Sequence, residues 1–195
     1  MTLILTIFKV LAIILASFVF WRNLKEDYSD EEIFSVSILI FIFSFLGERV
    51  FSLQGAFLGA IFPLAFFSRI KKWDFWLAAD ALVFPLLIAG AAFNFQEPLK
   101  IFLLAIVGFL GWWAKENYRS FSWYKSGKVG FLICFSTLSF FSLFLILEIF
   151  IYKVLYLRIF IDLGIIGGAI FFLYLRSGRD IYQDRLNLLK KIKHG

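Results

Sequence analysis

Seven stretches of this chain are apolar for so long that a bilayer, not water, is their natural solvent. A crossing needs about 20 mainly apolar residues, and helices are expected near residues 2–21, 33–53, 55–67, 74–95, 98–114, 129–152 and 155–175. Hydrophobic residues make up 62% of the 195, and mean hydropathy is +0.87. A soluble domain has roughly 45–50% apolar residues even when glycine is counted. The polar stretches 22–32, 115–128 and 176–195 are loop-sized, so the expected organisation is one integral membrane domain over 1–195. Its fold class is all-α and polytopic, with about seven transmembrane helices and a basic cytoplasmic tail at 176–195. Run 55–67 is short for a full crossing, and a tilted, broken or re-entrant segment there needs cover from protein or a water-filled cavity.

The basic residues set the expected orientation. Only Lys9, Arg49, Lys100, Lys153 and Arg158, five of the twenty, fall outside the odd-numbered connections and the tail. The positive-inside rule therefore favours an external N-terminus and a cytoplasmic C-terminus. Trp21, Trp73, Trp76, Trp112, Trp113, Tyr118, Tyr152 and Tyr156 cluster near run ends, as an interfacial aromatic belt predicts. The first run has no small-residue cleavage pattern behind it and is read as a retained helix, not a signal peptide. Ser29 before Asp30-Glu31-Glu32 is read as an N-cap with acids in the first turn of the second helix. The net charge of +6 is distributed by loop, which argues against a nucleic-acid partner. With one cysteine and one histidine, disulfide frameworks and clustered Cys/His metal sites are excluded; a carboxylate metal site stays open without a motif behind it, and no cofactor or metal is expected.

Function is sought in the few charges at membrane depth, each costing at least ~2.5–3.5 kcal/mol unless paired. Glu48 and Arg49 lie near the outer end of the second run. Either they are satisfied by each other or by helix neighbours as a structural interfacial pair, or Arg49 makes a phosphate contact through the guanidinium. Gly55, Ala56 and Gly59 present a small-residue face that lets a helix or a lipid headgroup approach the backbone. Asp80 is read as a helix cap or interhelical hydrogen bond. Asn94 caps its helix or binds a polar headgroup. Glu148, within Phe144-Leu145-Ile146-Leu147-Glu148-Ile149-Phe150, is a proton-carrier candidate unless a cation pairs with it, and Arg49 and Lys153 are the available partners. Asp162 is expected to pair with Arg158 at i,i+4 spacing.

Taken in order, Leu46-Gly47-Glu48-Arg49-Val50, Ser52-Leu53-Gln54-Gly55-Ala56-Phe57-Leu58-Gly59-Ala60, Phe67-Ser68-Arg69-Ile70-Lys71-Lys72, and Ala79-Asp80-Ala81 through Gly90-Ala91-Ala92-Phe93-Asn94-Phe95 resemble the prolipoprotein diacylglyceryl transferase family. The resemblance implies seven transmembrane helices in the bacterial cytoplasmic (inner) membrane. It also implies transfer of diacylglyceryl from phosphatidylglycerol to the lipobox cysteine of a prolipoprotein, whose signal peptide is then a partner. Glu148 and Arg49 become the catalytic candidates, and Asn94, Gln54, Gly55 and Gly59 the substrate-binding ones.

Several family positions are replaced. Gln54 stands where the family has histidine, Ala91 where it has an arginine, and Phe144 where it has the arginine four residues before its glutamate. Transfer asks for help in deprotonating a thiol of pKa near ~8.5. It also asks for cationic donors on the departing glycerol phosphate, worth ~2.7–4 kcal/mol each in comparable oxyanion sites. Gln54 takes no proton, and Ala91 and Phe144 neutralise nothing, which leaves Arg49 as clamp and Glu148 as base. The expectation is a divergent transferase-like protein. The alternative is a catalytically degenerate lipid- or lipoprotein-binding membrane protein. A small transporter is weaker, because no inverted internal repeat is detected.

Overall fold

The computed structural model describes residues 2–152 and 156–179. The basic tail beyond Arg179 and Lys153 lie outside those residues, and of the Tyr152 and Tyr156 side chains nothing is said. The chain is 85% helical with no strands among the described residues. The helices are α1 (Thr2–Leu24), α2 (Asp30–Lys71), α3 (Phe75–Phe93), α4 (Pro98–Asn117), α5 (Phe131–Leu147) and α6 (Tyr156–Arg176). A 3₁₀ turn, Tyr118–Ser120, follows α4, and a π-helical turn, Glu148–Tyr152, follows α5. All six helices are long and apolar enough to cross a membrane.

A straight α2 of 42 residues would extend ~63 Å, twice the ~30 Å hydrocarbon thickness. Instead it reverses at Phe51 (φ −130°, ψ 24°) and Ser52 (φ 56°, ψ −136°). The two arms pack antiparallel. A Cβ built at Gly47 would lie 2.0 Å from the Gly55 carbonyl oxygen, and one at Gly59 would lie 2.2 Å from that of Phe43. At both crossings backbone touches backbone, which only glycine permits. Ser52, with positive φ, carries a conformational cost of order 1–3 kcal/mol that this packing offsets. The expected helices 33–53 and 55–67 are thus the two arms, and the second is longer than its apolar run because Ser68 to Lys71 remain helical. It is a continuous helix through Pro63 to Lys71.

The connections between α1 and α2, α2 and α3, and α4 and α5 meet at one end of the bundle, with the C-terminus of α6. This basic end is tied by polar and aromatic contacts. Tyr28 stacks on Trp73 at 4.0 Å, Glu32 accepts from Trp73 Nε1 at 3.1 Å, and Lys71 lies 3.1 Å from Glu32. Ser29 occupies the N-cap of α2 but its side chain makes no capping bond, and Asp30 instead accepts from Trp21 Nε1 at 2.6 Å. Trp112 and Trp113 are exposed as a belt requires, whereas Trp73 is buried in this cluster. Pro85 cannot donate to the carbonyl of Ala81 four residues back. That carbonyl accepts from Asn23 Nδ2 of α1 at 3.3 Å, so a neighbouring helix satisfies what the proline frees.

The core is densest toward the basic end, where Phe20, Ile33, Leu64, Trp73, Leu82 and Phe131 are buried together. Phe102, Phe150 and Phe160 are exposed by 66%, 76% and 70%. Exposure of that size suits a lipid-facing surface and would be untenable in water.

Candidate functional site

Toward the opposite end the helices part around a cavity of about 520 Å³. Its walls come from α1, both arms of α2, α3, α4 and α5, and are almost wholly apolar, with Phe41, Phe45, Phe57, Leu87, Phe140 and Phe141 prominent. Ile42, Phe45 and Leu46 both line it and stand 50%, 48% and 55% exposed, which places its opening on the lipid-facing side of the first arm. The polar lining is Ser44, Glu48, Asn94, Ser136 and Thr137. The Ser44 and Ser136 hydroxyls are buried without a hydrogen-bond partner.

Glu48 and Asn94 are the sequence-predicted residues that line this cavity. Asn94 forms the C-cap of α3, where its Nδ2 donates to the Gly90 carbonyl at 2.8 Å. Arg49 is exposed and makes no close ion pair with Glu48 or Glu148; its guanidinium lies over the Phe45 ring, 5.1 Å from the centroid. Phe45 is part of the cavity wall, and Arg49 is not itself a lining residue. Gly55 and Gly59 are absorbed in holding the two arms of α2 together, so their small size serves helix packing.

Gln54 and Glu148 form a second, separate constellation. Both are buried, at 0% and 1% exposure, and Gln54 Nε2 donates to Glu148 Oε1 at 3.1 Å across 94 residues of chain. Neither lines the large cavity. Of the partners expected for Glu148, Arg49 is elsewhere and Lys153 lies outside the described residues; Asp162 of α6 lies against both Glu148 and Gln54. Asp162 is itself fully buried and has Arg158 near it without a close ion pair. Among the described residues the close ion pairs are Lys71 with Glu32 and Lys100 with Glu97. The pairing of Asp162 with Glu148 escaped sequence reasoning because i,i+4 spacing offered Arg158. Helix-hairpin register was the signal available, since the two acids flank the α5–α6 connection at similar distances.

Asp80 bears out its reading as an interhelical cap. Its Oδ2 accepts from the Gly130 amide at 2.6 Å and its Oδ1 from the Ile133 amide at 2.8 Å, so α3 caps α5, whose own N-cap, Gly130, has no side chain. Gly130 has φ 96°, and a Cβ there would strike the Trp76 ring at 2.7 Å and Arg176 Nε at 2.8 Å. Arg176 completes this inner lock by donating to the Val129 carbonyl at 2.6 Å and lying over Trp76.

Among the described residues no group of three or more His, Cys, Asp and Glu is arranged to hold a metal ion. Comparison with models of known families, with curated proteins and with solved structures gives no match for this chain.

Proposed function

We propose that this membrane protein binds a phospholipid, with an acyl chain in the cavity and the headgroup at the rim beside Arg49. The observation that carries this reading is the cavity itself. Its volume falls in the ~300–1,000 Å³ range of ligand sites; its walls are apolar, and it opens toward lipid. Ser44 and Ser136 supply unspent hydroxyl donors of the kind an ester carbonyl accepts. Arg49 supplies a guanidinium for the phosphate, held in place by Phe45. An anionic lipid such as phosphatidylglycerol fits that rim, and the bacterial cytoplasmic membrane is the setting that goes with it.

Native mass spectrometry of protein extracted from phosphatidylglycerol-containing membranes tests the proposal. The wild type is expected to retain phospholipid. Ala56→Trp, which fills the cavity from its wall, is expected to lower retention at least about tenfold, or ~1.4 kcal/mol. Arg49→Ala is expected to reduce the preference for anionic over zwitterionic lipid by a similar factor, since hydrogen bonds to charged groups are worth ~1.5–3 kcal/mol. Equal retention in wild type and Ala56→Trp would place the lipid outside the cavity and end the proposal.

A second reading is diacylglyceryl transfer to a lipobox cysteine, by resemblance. It draws support from Gln54 and Glu148 meeting across the fold, because these positions match the family's histidine and glutamate. In this chain Glu148 is enclosed by Gln54 and Asp162, away from the cavity, so lipid binding is the better supported of the two. The mass of a lipobox peptide after incubation with protein and phosphatidylglycerol liposomes separates them.

A further inference from the structure

Gln54, Glu148 and Asp162 come from the second arm of α2, the π-helical turn and α6. At 0%, 1% and 0% exposure they are among the most enclosed polar side chains of the protein. Four of their oxygens, Gln54 Oε1, Glu148 Oε2 and both Oδ atoms of Asp162, are buried with no close hydrogen-bond partner among the described residues. Buried carboxylates are paired or coordinate a metal, because an unpaired charge is too costly to desolvate. Here two carboxyl groups face each other with one amide donor between them, and that donor reaches a fifth oxygen, Glu148 Oε1.

One proton shared between the acids would reach Glu148 Oε2 and one oxygen of Asp162. It would leave the other Asp162 oxygen and the Gln54 amide oxygen unsatisfied. A small hard cation differs in that it accepts carboxylate and amide oxygens together. The charge of the described residues favours a low valence. Among them, two carboxylates and the nearby Arg158 guanidinium sum to one negative charge, which a monovalent ion neutralises and a divalent ion overshoots. The backbone supplies an independent sign. Glu148 opens a π-helical turn, and such turns occur mostly as short, frequently functional insertions. We propose that Gln54, Glu148 and Asp162 form a binding site for a sodium-sized monovalent cation, which ties the second arm of α2 to α5 and α6.

The full-length protein in detergent, titrated at constant ionic strength by exchanging N-methylglucamine chloride for sodium chloride, tests this. Because a ligand that binds only the folded state stabilises it, the melting temperature is expected to rise saturably with sodium. Asp162→Asn and Gln54→Leu are each expected to weaken the apparent affinity at least tenfold. Glu116→Gln, an exposed acid at the basic end, is expected to behave as wild type. Equilibrium binding of radioactive sodium to the wild type, expected at one ion per chain, keeps the test independent of whether either variant folds. No sodium-dependent rise and no bound ion would overturn the site. Stabilisation by calcium but not sodium would overturn the monovalent assignment. Stabilisation by acid alone would replace the cation with a shared proton.

Discussion

Gly55→Ala is expected to unfold the α2 hairpin as readily as Gly47→Ala, its partner across the same backbone crossing. Its Cβ would lie 2.0 Å from the Gly47 carbonyl oxygen and 2.6 Å from the carbonyl carbon, both backbone atoms that no rotamer change can move aside. Overpacking costs typically 1–3 kcal/mol, and a clash of backbone with Cβ belongs at or above the top of that range. For a protein of this size ~3 kcal/mol corresponds to a melting temperature lower by about 6–12 °C. Gly167→Ala supplies the comparison, because a Cβ there meets nothing within 4 Å. In a helix interior that replacement gains roughly 0.5–1 kcal/mol. Thermal unfolding of both in the same detergent checks the pair. Equal stability of Gly55→Ala and wild type would mean the arms are not in backbone contact.

The second large effect is at the other end of the bundle. Asp80→Ala removes the acceptor for two buried amides, Gly130 and Ile133, at the start of α5. Each hydrogen bond to a charged group is worth ~1.5–3 kcal/mol, so a loss of about 3–6 kcal/mol is expected. Asp80→Asn keeps one side-chain oxygen and should lose about half as much. Amide hydrogen exchange at Gly130 and Ile133 locates the effect. Faster exchange confined to the first turn of α5 is the expected pattern, while protection unchanged from wild type would show that these amides find another acceptor.

The two predictions also mark what was legible in the sequence. Helix placement followed from run length, because the thickness of hydrocarbon fixes how many apolar residues a crossing needs; the count of about seven is six in the structure, two of the expected helices being arms of α2. Asp80 was readable as a cap because a lone acid near a helix end has few other uses. The reversal in α2 was harder: Phe51 and Ser52 are not turn residues by composition, and the chain turns there because glycines on either side let the arms close. Pairs equidistant from the turn, 47 with 55 and 43 with 59, meet in the structure. That symmetry is present in the sequence once a hairpin is assumed.

Long-range partners were the part that sequence could not supply. Arg49 stacks on Phe45, four residues back on the same arm, a helix neighbour of the kind that spacing does expose. For Glu148 spacing offers cations, whereas among the described residues it meets an amide and a second acid. Sequence spacing exposes neighbours along one helix, and Gln54, Glu148 and Asp162 sit on three elements. On the two proposals the cavity would take lipid and the enclosed Gln54, Glu148 and Asp162 an ion, with the second arm of α2 contributing residues to both.

The most direct measurement is photocrosslinking with phosphatidylglycerol carrying a photoactivatable group near the middle of one acyl chain, followed by peptide mapping. An acyl chain seated in the cavity predicts adducts on Phe57, Leu87 and Phe141, which wall it, and their loss in Ala56→Trp. Adducts confined to outward-facing residues such as Phe102 and Phe160, unchanged by that substitution, would contradict it.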